Sequence, residues 1–232
     1  MVLLYLSPTW FAGYDIFLEV LFALVTLAIA FYSLKIYKLS GQRESKLFGI
    51  SFLLISISYS LWAILNGFAL SQLNENQCAL YLEDVGILIN LGIYGHILFF
   101  LSGIATLAYM TLKIESLKAY SLILLLVLLA TILVEEKQMI IYLLSSILLI
   151  YIISAYIEEY SKNKNKKVLM ILLAFFFLFF GRLDFIFSTI SYRFYVLGHV
   201  LELAAYALAL ISLILVIKHQ QKNKSMGLRR IP

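Results

Sequence analysis

The chain has little cysteine, little charge and no familiar catalytic motif. Cys78 is the only cysteine in 232 residues. A lone thiol excludes an intramolecular disulfide, an iron–sulfur ligand set and a zinc finger. Only 13% of the residues are charged, less than a soluble domain of this length needs for its surface. There is no Gly-rich phosphate loop, HExxH, CxxC or GxSxG, which sets aside the nucleotide and hydrolytic chemistries those motifs carry. No nucleophile–base set is visible, so any enzymatic role is at most that of a redox subunit. The opening MVLLYLSPTWF lacks a basic n-region and a small-residue cleavage site, so it does not read as a cleaved signal peptide. No lysine lies in the last apolar segment to carry a retinal Schiff base, and no Pro-Gln dipeptide occurs.

What the chain does have is apolar length, with 63% of its residues hydrophobic. A bilayer core needs roughly 20 apolar residues per spanning helix. Seven segments meet that pattern, at about 13–37, 47–70, 85–112, 120–134, 139–157, 168–190 and 194–217. The expected fold is therefore an all-α bundle of seven transmembrane helices over residues 1–217, followed by a basic tail over 218–232. A β-barrel is excluded, because barrel strands alternate apolar and polar residues. Here the apolar runs are continuous. The fourth segment, leucine-rich and free of ionisable groups, reads as a lipid-facing or packing helix.

The net charge of +5 does not point to nucleic acid, because the basic residues sit in short loops between apolar runs. Such placement orients membrane proteins. Lys35, Lys38, Arg43, Lys46, Lys113, Lys118, the KNKNKK run and the tail fall on one side; Lys137 and Arg193 fall on the other. The expectation is a multi-pass protein of the plasma membrane, N-terminus outside and C-terminus cytoplasmic.

Ionisable groups at membrane depth are costly and usually functional. From the rise of about 1.5 Å per residue, Glu19, Arg182, Asp184, His199 and Glu202 fall within roughly 15 Å of the outer boundary. His96 falls slightly deeper, and Asn66 and Asn90 fall at the outer edge of the layer. The expectation is a polar pocket opening outward, lined by helices one, three, six and seven. His199 and Glu202, spaced i, i+3, share a face. Arg182 and Asp184 face different sides of helix six, with Arg182 the natural partner of Glu202.

Two Gly-His pairs, in IYGHIL (93–98) and VLGHVL (196–201), suggest two three-helix repeats joined by helix four. They also suggest a first function. His96 and His199 would be axial ligands to a haem b in an electron-transfer subunit, with Gly95 and Gly198 leaving room beside the backbone for the macrocycle. The alternative is a small-molecule or proton-coupled carrier, or a ligand-sensing module, using Arg182, Asp184, Glu202 and Glu19. A third reading is a structural subunit of a membrane complex. Partners beyond the lipid bilayer would be other membrane subunits or further copies of the chain.

Overall fold

The computed structural model describes residues 11–73, 81–113, 116–133 and 137–228; Cys78 lies outside them. Seven helices follow in order: α1 (Ala12–Ser40), α2 (Arg43–Leu73), α3 (Tyr81–Thr111), α4 (Leu117–Leu133), α5 (Lys137–Asn163), α6 (Lys166–Phe187) and α7 (Tyr192–Leu228). All seven expected segments are helical. The largest departure is at the end of α7, which runs on through most of the basic tail; no proline stands there to stop it.

Six of the helices are long and apolar enough to cross a membrane; α4 is a shorter apolar helix. The six close into a ring, in the order α1, α2, α3, α5, α6, α7 and back to α1. α4 packs only on α3 and α5, outside the ring. It turns Val127 inward, while Leu122, Leu125, Leu126 and Leu129 are 44–58% exposed, a set spaced to line one helical face. On α1, Phe17, Leu24 and Phe31 likewise point outward at 59–65% exposure. Large apolar side chains over the outer surface and charged ones at its centre invert the order of a soluble protein. They are the arrangement a bilayer solvates. The chain is a multi-pass α-helical membrane protein.

Small residues set the close seams. A Cβ at Gly103 on α3 would meet Ser51 O of α2 at 2.8 Å, and one at Gly181 on α6 would meet Gly198 O of α7 at 3.1 Å. Gly41 closes the α1–α2 turn at φ 70°, and its N–H bonds Tyr37 O at 2.8 Å, the left-handed cap that glycine adopts without strain. Most buried hydroxyls are satisfied by backbone carbonyls. Thr26 Oγ1 donates within its own helix to Phe22 O at 2.6 Å, and Ser56 Oγ donates across to Ala23 O of α1 at 2.8 Å.

Candidate functional site

α1, α3, α5 and α7 begin, and α2 and α6 end, at one end of the bundle, and the polar layer lies toward it. Arg182 on α6 and Glu202 on α7 form an ion pair there, at 2% and 1% side-chain exposure. The pair sits beside the Gly181–Gly198 contact: the Cβ position of Gly181 lies 3.4 Å from Glu202 Cγ. Absence of side chains at both glycines lets α6 and α7 approach closely enough for the charges to meet.

The pair is tied to α2 by Tyr59, which is buried and has ring contacts to Phe22 of α1, Phe100 of α3 and Tyr206 of α7. Arg182 Nη2 donates to Tyr59 Oη at 2.9 Å, and Tyr59 Oη donates to Glu202 Oε2 at 3.1 Å. Tyr206 Oη lies 3.0 Å from Tyr59 Oη. A phenol has one proton and two acceptor sites. With that proton given to Glu202, Tyr206 must be the donor to Tyr59, and the Tyr59 hydroxyl is fully used. The guanidinium carbon is 4.0 Å from the Phe100 ring centroid of α3 and 5.9 Å from that of Tyr142 on α5. One cation thus gathers side chains from α2, α3, α5, α6 and α7.

On α1, Glu19 is 2% exposed. Both its carboxylate oxygens accept from Asn66 Nδ2, at 3.0 and 3.2 Å. Among the described residues Glu19 makes no ion pair. It lies within electrostatic reach of Asp15, one turn earlier on α1, and of Glu202.

The two histidines occupy unlike surroundings. His96 Nδ1 is 2.7 Å from Ser58 Oγ, and the same hydroxyl donates to His96 O at 2.9 Å. The single hydroxyl proton is therefore committed, so His96 Nδ1 carries the hydrogen and donates to Ser58. His199 is 6% exposed, and neither ring nitrogen has a hydrogen-bond partner among the described residues. It stands among Phe11, Phe22, Phe185 and Tyr195, with ring centroids 5.9, 5.9, 5.0 and 4.7 Å away.

Between the two imidazoles stand Tyr59, 5.7 Å from His96, and Phe22, 5.3 Å from Tyr59 and 5.9 Å from His199. A bis-histidine haem needs an open slot between its ligands, and as packed these residues do not fit one. Gly198 does not provide the expected clearance either. A Cβ there would meet Phe185 at 2.8 Å and the Gly181 carbonyl at 3.1 Å, whereas at Gly95 the nearest atom is Leu61 Cδ1 at 3.5 Å. Among the described residues no group of three or more His, Cys, Asp or Glu could hold a metal ion.

Of the residues singled out from sequence, Glu19, Asn66, His96, Arg182, His199 and Glu202 share the layer. Asp184, two residues from Arg182, is half-buried on another side of α6 and takes no part in the network. The side chain of Asn90 lies outside the described residues. The layer is close-packed: Arg182 heads the largest fully buried side chains, and Tyr59 and Tyr206 are 3% and 1% exposed. An open cleft of about 390 Å³ lies at the opposite end of the bundle, between the start of α2 and the end of α3. Tyr59 and Tyr206 were missed because tyrosine in an apolar segment reads as core or interface. Their spacing was the available signal: His199, Glu202 and Tyr206 follow i, i+3, i+7, and Tyr59 precedes Asn66 by seven, both single-face patterns. No protein-family model matches the chain, and no curated protein or solved structure matches it either.

Proposed function

We propose that the chain is a proton-coupled membrane carrier, with Glu19 as the group that takes up the coupling proton and Arg182–Glu202–Tyr59 as the latch that responds. The observation that carries this reading is the Glu19 carboxyl, buried at 2% exposure and held by an amide donor without an ion pair among the described residues. A structural acid in lipid is matched by a cation, as Glu202 is by Arg182. An acid held by neutral donors, here the Asn66 amide and the Trp62 indole, can hold or release a proton without breaking a salt bridge. Protonation of Glu19 removes one negative charge from the surroundings of Glu202. That change alters the balance within the Arg182–Glu202 pair and so the seam between α6 and α7. The distribution of basic loop residues supports an outward-facing position for this end, and on that reading the proton enters from the outer face.

The experiment is proton flux into proteoliposomes carrying an internal pH indicator, under an imposed pH gradient and a potassium diffusion potential. The expected result is flux above protein-free vesicles, abolished by Glu19→Gln and retained by Asp184→Asn. Flux that is absent in the wild type, or untouched by Glu19→Gln, overturns the reading. Haem ligation by His96 and His199 would require Tyr59 and Phe22 to leave their places. A Soret band that follows the protein through purification, and is lost in His96→Ala and His199→Ala, would restore it against the carrier.

A further inference from the structure

Toward the end of the bundle at which α1, α5 and α7 begin, the ion pair is covered by a row of four aromatic rings. The row spans α5, α6, α7 and the start of α1. Tyr142 of α5 stacks on Phe185 of α6 at 5.1 Å. Phe185 meets Tyr195 of α7 edge-on at 5.7 Å, and Tyr195 meets Phe11, the N-cap of α1, at 6.1 Å. Phe185 is two residues from the last of α6, and Phe11 directly precedes the first of α1. Side chains so near the ends of their helices are commonly exposed. These two are 4% and 7% exposed.

Unmatched polar atoms lie against this row. Phe185 follows Arg182 by three residues, on the same face of α6, and its ring centroid is 5.6 Å from the guanidinium carbon. His199 is 5.0 Å from Phe185, 4.7 Å from Tyr195 and 5.9 Å from Phe11. Both nitrogens of His199, and Nε of Arg182, are buried without a hydrogen-bond partner among the described residues. Such atoms are costly in a dry interior, and water is their usual partner. The close packing admits none while the rings stay in place. A phenylalanine at position 199 would fill the same aromatic surroundings without that cost, so packing alone gives no account of the histidine.

Phe185 is the ring that meets both unmatched groups and two other members of the row. Its seat is made by Gly198, where a Cβ would lie 2.8 Å from Phe185 Cε1 and 3.0 Å from its Cζ. A phenyl ring carries no donor or acceptor, so it leaves such a seat without breaking a hydrogen bond. We propose that Phe185 is a gate. Seated on Gly198, it closes this end of the bundle over Arg182 and His199. Displaced, it admits water to both, and the unmatched nitrogens gain partners. The use of the gate rests on the carrier reading above: it controls when the coupling proton reaches the polar layer from this end.

Diethyl pyrocarbonate acylates neutral imidazole nitrogens that it can reach, so it reads the gate without reference to transport. Wild type, Phe185→Ala and Phe175→Ala are treated in detergent, and modification of His199 is followed by mass spectrometry. Phe175 is 3% exposed on the same helix, nearer its other end, and controls for general loosening by a lost ring. The expected result is at least a tenfold faster modification of His199 in Phe185→Ala and the wild-type rate in Phe175→Ala. Phe185→Leu, which keeps more of the side-chain volume, is expected to fall between wild type and Phe185→Ala, and decides the matter if the alanine variant does not fold. An unchanged rate in the Phe185 variants, or an equal rise in Phe175→Ala, overturns the gate and reduces the row to packing. In proteoliposomes Phe185→Ala is expected to raise proton flux above the wild type. Faster modification with no flux in any protein keeps the gate and overturns the carrier reading. Wild-type flux with an unchanged His199 rate in the Phe185 variants does the reverse.

Discussion

Arg182 and Glu202 meet beside the Gly181–Gly198 contact of α6 and α7, one residue from Gly181 on one side and four from Gly198 on the other. Charge pairing and glycine packing therefore depend on each other. Removing one charge leaves its partner buried without compensation, at about 3–5 kcal/mol. We expect Glu202→Gln and Arg182→Met each to lower the thermal midpoint in detergent sharply. The double variant should be much less destabilised than the sum of the two. Simple additivity in that cycle would show that the two residues do not act as a unit.

Glycine at 198 is required by contact and glycine at 95 is not. Gly198→Ala puts a methyl group 2.8 Å from Phe185 and 3.1 Å from the Gly181 carbonyl, and the backbone side of that contact cannot yield. A loss of about 1–3 kcal/mol is expected. Gly95→Ala meets only Leu61 at 3.5 Å, an ordinary contact, and gains helix propensity of up to about 1 kcal/mol. Thermal unfolding of the two variants side by side is the measurement. Equal effects would contradict the assignment of Gly198 to helix packing.

Tyr59 spends one hydroxyl on three partners. Tyr59→Phe leaves a guanidinium, a carboxylate and the Tyr206 hydroxyl each one bond short in the interior. A cost of at least about 1–3 kcal/mol follows. Tyr206→Phe removes fewer bonds, those to Tyr59 and Arg182, each worth about 0.5–1.5 kcal/mol net, and should cost less than Tyr59→Phe. A reversed order of melting temperatures would mean that Tyr59 is not the hub.

Asn66 and Asp184 separate the network from its surroundings. Asn66→Ala takes the amide donor from both oxygens of Glu19, with an expected loss of about 1–3 kcal/mol. Asp184→Asn should change stability by no more than about 0.5 kcal/mol, as for a substitution away from buried partners. Denaturation of both variants in the same detergent checks the pair. A large effect at Asp184 would place it in the network after all.

The relation between these residues and the linear chain differs from case to case. The partner of Glu202 was legible, because a buried carboxylate with an arginine at the same depth on the neighbouring helix has few other choices. So was the separation of Arg182 from Asp184, which follows from the angle between positions two apart on a helix. Asn66 was placed at the edge of the layer, and it turned out to hold Glu19. The two Gly-His pairs, of matching sequence, lie in unlike settings, one bonded to Ser58 and one among four aromatic rings. Nothing in a hexapeptide states what its helix will face. Tyr59, which links more of the site than any acid or base, carried no charge to draw notice.

Seven helices, their approximate bounds and the common depth of the ionisable groups came from the order of residues alone, because apolar length and helical rise are properties of a segment by itself. Which helices close the ring, that α4 stays outside it, and that a tyrosine from α2 completes an ion pair on α6 and α7 were decided only by packing. Those outcomes depend on which faces fit against one another, and glycine contacts between distant parts of the chain determine that fit.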